Sequence, residues 1–114
     1  MTVALVAVAG AAGVLARYGI GQLTPSMWAT LGVNVLGSFL LGVLVHAGRD
    51  LDPALRDALG TGFLGGFTTF STFSVQAVLE ADSGKTSTAV LYVLASVVLG
   101  IAAGAAGYYG SKGM

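Results

Sequence analysis

Four apolar runs, at residues 2–21, 27–47, 54–79 and 86–109, constrain this chain more than any other feature. A bilayer core of about 30 Å is crossed by about 20 helical residues, a length each run reaches or approaches closely. Lipid supplies no partner for backbone N–H and C=O groups, so a spanning segment must satisfy them internally, as a helix does. The connections contain LTPSM, GRDLDP and EADSGK, where proline, glycine and charge gather as they do at a water boundary. Asp52-Pro53 reads as the start of the third helix, with Asp52 as N-cap and Pro53 at the first helical position. The expectation is an all-α integral membrane protein, one domain over residues 1–114 with four transmembrane helices. The first run lacks a preceding positive region and Arg17 follows it, so it reads as a retained helix rather than a cleaved leader.

Charge and composition exclude several classes. Five basic and five acidic side chains cancel, which gives no electrostatic footing for nucleic acid or an anionic surface. With no cysteine, disulfides, thiol nucleophiles and thiolate metal sites are absent together. His46 has no second ligand at metal-binding spacing and reads as an interfacial residue at a helix end. There is no P-loop, no zinc-binding His-Glu pair and no G-x-S-x-G, so the chain reads as a non-enzyme. Arg49, Arg56 and Lys112 face Arg17 and Lys85 across the membrane, a slight positive-inside bias. Such a bias permits insertion both ways round and an antiparallel dimer; it equally suits an ordinary small protein with few charges.

The third run is anomalous. At about 26 residues a straight helix would extend about 39 Å, more than the hydrocarbon core needs. Its centre reads GFLGGFTTFSTFS, with Gly65-Gly66 followed by Thr68-Thr69, where helix is weak. The expectation is a helix broken at mid-membrane. Irregular backbone survives at that depth only where it lines a cavity or meets an ion.

Polar residues fall in stripes. Thr30, Asn34 and Ser38 share one face of the second helix, either as interhelical glue or as neutral donors along a passage. Tyr92, Ser96, Gly100 and Gly104 form a line on the fourth, for which small-residue packing is a competing explanation. Phe70 and Phe73 lie one turn apart with hydroxyls around them. Arg17 either snorkels to the headgroups or borders an aqueous vestibule. No carboxylate lies in the first, second or fourth run. Amide and hydroxyl hydrogens and the electropositive edges of aromatic rings suit a small anion better than a cation.

These stretches resemble the Fluc family of fluoride channels, also called CrcB, most specifically in GGFTTFSTFS (65–74), then in VNVLGSFLLG (33–42) and GAAGVLARYG (10–19). The resemblance implies a passive fluoride-exporting channel in the bacterial cytoplasmic membrane, built as an antiparallel, dual-topology homodimer with two pores. It implies that Phe70, Phe73, Asn34, Ser71, Thr72, Tyr92 and Ser96 line the fluoride path and that Arg17 stands at a vestibule. It also implies a structural sodium ion at the dimer centre, held by the backbone carbonyls of Gly65 and Thr68. Gln76 and Gly100 depart from the family pattern, which often has an acid and a hydroxyl there. Two other classes compete: a small dual-topology cation/proton antiporter, which needs an intramembrane acid where only Glu80 and Asp82 near a helix end are on offer, and a non-transporting membrane scaffold.

Overall fold

The structure, a computed structural model, describes residues 1–113. Helices α1 (Thr2–Leu23), α2 (Met27–Ala47) and α6 (Thr86–Lys112) are continuous, and each is long and apolar enough to cross a membrane. The third run is divided into α3 (Pro53–Asp57), a π-helical segment (Ala58–Leu64), α4 (Gly65–Phe67) and α5 (Phe70–Asp82). Side chains mark the starts: Ser26 accepts from the Trp28 N–H, and Asp52 from the Ala54 N–H with Pro53 at the first helical position. The turn into α6 uses Gly84 at φ 90°, where a side chain would be strained.

Packing explains the division. α1 lies against the π-helical segment and α4, whereas α5 lies mainly against α6 and to a lesser extent α2. The third run therefore changes neighbours partway across. The close crossings use glycine: a Cβ at Gly13 would strike the Phe63 carbonyl, and one at Gly66 the Gly10 carbonyl. α2 and α6 form the most extensive pair, and at Gly42 and Gly107 a Cβ would meet the carbonyls of Gly104 and Phe39. Backbones brought this close gain dispersion contacts that leucine surfaces cannot reach. Phe67, Phe73 and Tyr92 are buried between the helices, while Val3, Leu15, Val98 and Ile101 point outward, as expected of a chain solvated by lipid.

The weak point of the third run lies elsewhere than at the glycine pair. Gly65 is helical at φ −63°, ψ −37°, and Gly66 lies within α4. The extended residues are Thr68 (φ −94°, ψ 157°) and Thr69 (φ −151°, ψ 122°). Gly66 has its missing side chain committed to the approach of α1, and β-branched threonine is at ease in extended backbone.

Candidate functional site

An interrupted helix leaves carbonyls unpaired at one new end and N–H groups unpaired at the other. The chain answers with four side chains. Thr68 turns back on its own helix, its N–H and Oγ1 both donating to the Leu64 carbonyl at 3.0 and 2.9 Å. From α1, Arg17 Nε donates to the Gly66 carbonyl at 3.2 Å. From α2, Asn34 grips the Thr69 peptide groups at both poles: Nδ2 donates to the Thr69 carbonyl at 3.0 Å and Oδ1 accepts the Thr69 N–H at 2.9 Å. Thr69 in turn caps α5, its Oγ1 accepting from the Thr72 N–H at 3.2 Å and donating to Thr72 Oγ1 at 3.1 Å. Among the described residues, the carbonyls of Gly65 and Thr68 receive no hydrogen bond.

Three cavities border this interruption: one of about 490 Å³ lies directly against it, lined by Asn34, Gly65, Thr68, Thr69 and Phe70, and two others lie beside it. One of about 390 Å³ is lined by Arg17, Thr30, Thr69, Thr72 and Gln76. The other, about 580 Å³ between α2, α5 and α6, is lined by Asn34, Ser38, Phe70, Phe73, Ser96 and Tyr108. No Asp or Glu lines either one. The start of α5 adds the positive end of a helix dipole beside both.

The sequence-predicted residues separate into roles. Phe70 is 79% exposed and Phe73 only 8%, their ring centroids 5.7 Å apart. Phe73 rests on Tyr92 at 5.2 Å, and Trp28 meets Tyr92 edge-on at 5.5 Å. Tyr92 has no exposed surface and donates its hydroxyl to Gln76 Oε1 at 2.8 Å, so it stands behind Phe73 as a packing post. Ser96 is among the residues lining the larger cavity, and its Oγ is buried with no hydrogen-bond partner. Thr72 lines the smaller one, and Ser71 is exposed, 3.4 Å from Thr69 Oγ1. Arg17 points inward to backbone rather than out to headgroups. Ser74 bonds back to the Phe70 carbonyl at 2.9 Å, the local pairing that helical serines commonly make. Sequence reasoning missed the central place of Thr69; the available signal was a hydroxyl directly ahead of a helical run, the N-cap pattern.

Comparison with known proteins adds an independent line. The family described as CrcB-like protein, Camphor Resistance (CrcB), matches residues 4–108. The chain is 46% identical to a fluoride-specific ion channel FluC of Gloeobacter violaceus, over 96% of this chain and 95% of that one. It is 43% identical to the protein of the same name from Erythrobacter litoralis, covering 86% of this chain and 82% of the relative. With the Agrobacterium fabrum FluC it shares 44% identity over 94% and 93% of the two chains.

Proposed function

The chain belongs to the CrcB family, and from that membership we propose that it is a fluoride-specific ion channel carrying the ion passively out of the cell across the cytoplasmic membrane. The observation that carries the reading is the break in the third run, clamped by Asn34 and flanked by two cavities free of carboxylate. Fluoride is small and strongly hydrated, so a path has to replace its water with several donors in succession, none binding so firmly that exit stalls. Neutral groups meet that requirement. The spare Nδ2 hydrogen of Asn34, the Ser96 hydroxyl and the ring edges of Phe70 and Phe73 supply such donors along the larger cavity. Arg17 and Thr72 serve the smaller one as a vestibule, with the guanidinium drawing anions while held to backbone. Ser71 completes the path at its margin, and Tyr92 backs it from behind by supporting the Phe73 ring.

The working unit is an antiparallel homodimer with the helix break at mid-membrane. Phe70 is a large ring left uncovered beside polar groups, and a second copy would enclose it and turn an open trough into a pore. A structural sodium ion fits the same centre. The Gly65 and Thr68 carbonyls lack donors, and the carbonyl-bearing end of a broken helix suits a hard cation. Two such carbonyls from each copy would hold it, and its role is to fix the two breaks against each other.

The test is efflux from liposomes holding purified protein, read with ion-selective electrodes. Fluoride should leave rapidly while chloride stays behind. Equal rates for the two ions, or none for fluoride, would overturn the reading.

A further inference from the structure

The larger cavity has a second end. α2 and α6 run in the same direction, and the cavity follows them from Asn34 and Ser96 to Val45 and Tyr108. Along each helix that is about three turns, or about 16 Å. At this far end two basic side chains meet one ring, and a third stands behind them. His46 meets Tyr108 edge-on with centroids 6.0 Å apart, and Lys112 Nζ lies 4.4 Å from the centroid of the same ring and 5.4 Å from that of Tyr109. Arg49 completes the group, its Nη1 donating to the His46 carbonyl at 2.7 Å and lying 3.3 Å from His46 Nε2. Among the described residues, neither Arg49 nor Lys112 has a carboxylate oxygen within 4.0 Å. Asp50 is adjacent in sequence and exposed, and Asp52 is engaged as the cap of α3.

We propose that His46, Arg49 and Lys112 form an anion-collecting mouth around Tyr108, at the opposite end of the permeation path from Arg17. The proposal rests on the channel reading above and adds the site that feeds the trough from its other side. Two features suit these groups to gather an anion without trapping it. The cations sit at the rim, where water screens them, and both are tied down, Lys112 by aromatic faces and Arg49 by a backbone carbonyl. A charge placed this way raises the local anion concentration and the entry rate, an effect that salt weakens.

Fluoride efflux from proteoliposomes, measured at low and high ionic strength with an impermeant salt, tests this on Lys112→Gln, Lys112→Glu and Arg49→Gln. Wild-type flux at subsaturating fluoride should fall as salt rises. Lys112→Gln should lower the low-salt rate about 2- to 5-fold and flatten the salt dependence, Lys112→Glu should lower it further, and Lys112→Arg should restore it. Arg49 also caps α2, so Lys112 keeps the test valid if Arg49→Gln fails to fold. A conducting wild type whose Lys112 variants match it in rate and salt response would overturn the mouth alone; a wild type that passes no fluoride would overturn the channel reading itself.

Discussion

Asn34 is placed so that its amide reads both poles of one peptide residue, accepting from the Thr69 N–H and donating to the Thr69 carbonyl. The two sequence readings of this residue, glue and donor, are therefore compatible, because two bonds still leave one amide hydrogen for the cavity. Asn34→Ala would strand both Thr69 groups, at about 1–3 kcal/mol for each. A clear drop in melting temperature in detergent is expected, with fluoride efflux at least tenfold slower. Asn34→Asp keeps an acceptor for the N–H but sets a second carboxylate oxygen against the Thr69 carbonyl and places negative charge on the proposed path. Its flux should be lower than that of Asn34→Gln, which keeps the amide; an electrode trace with Asn34→Asp at wild-type rate would remove Asn34 from the path.

At the scale of helices, glycine spacing and hydroxyl capping divide the work. Gly107→Ala drives a methyl into the Phe39 carbonyl and should weaken the α2–α6 pair, whereas Gly100→Ala meets nothing and should leave thermal stability unchanged. Thr69→Val removes the cap of α5 and should cost about 1 kcal/mol, most of which Thr69→Ser recovers. Thermal unfolding of the four variants in one detergent would check both pairs. This scale also shows what periodicity can and cannot convey. The spans, the Asp52-Pro53 start and the weakness of the third run were legible because they depend on local chemistry. The position of the interruption was legible only in part: the expected weak stretch took in Thr68-Thr69, where the break falls, but also Gly65-Gly66, and Gly66 looks like a helix breaker until α1 is seen to need it for close approach. Tyr92, Ser96, Gly100 and Gly104 look like a single stripe, yet Tyr92 is buried on Phe73 and hydrogen-bonded to Gln76, Gly104 lies by α2, and Gly100 faces open space. Partners distant in sequence decide which member of a stripe packs and which lines a cavity.

For the molecule as a whole, orientation turns on very few charges. One end has Arg49, Arg56 and Lys112 and the other Arg17 and Lys85, so the ends differ by a single basic side chain. A bias this small leaves the two insertions close in free energy, as an antiparallel dimer requires. Adding two lysines to the 48–52 turn should drive every copy into one orientation and abolish efflux. A partner variant fixed the other way should restore it on co-expression, with reporter tags confirming each orientation.

The central claim is that uncharged donors and aromatic edges beside the clamped break carry the ion. Phe70→Ile and Phe73→Ile test it most directly, because isoleucine keeps an apolar side chain in place and removes the electropositive ring edge. The initial rate of fluoride efflux from liposomes, read by electrode, should fall to near the protein-free leak in at least one of the two while the assembly keeps its size on gel filtration. Wild-type rates in both variants would contradict the account.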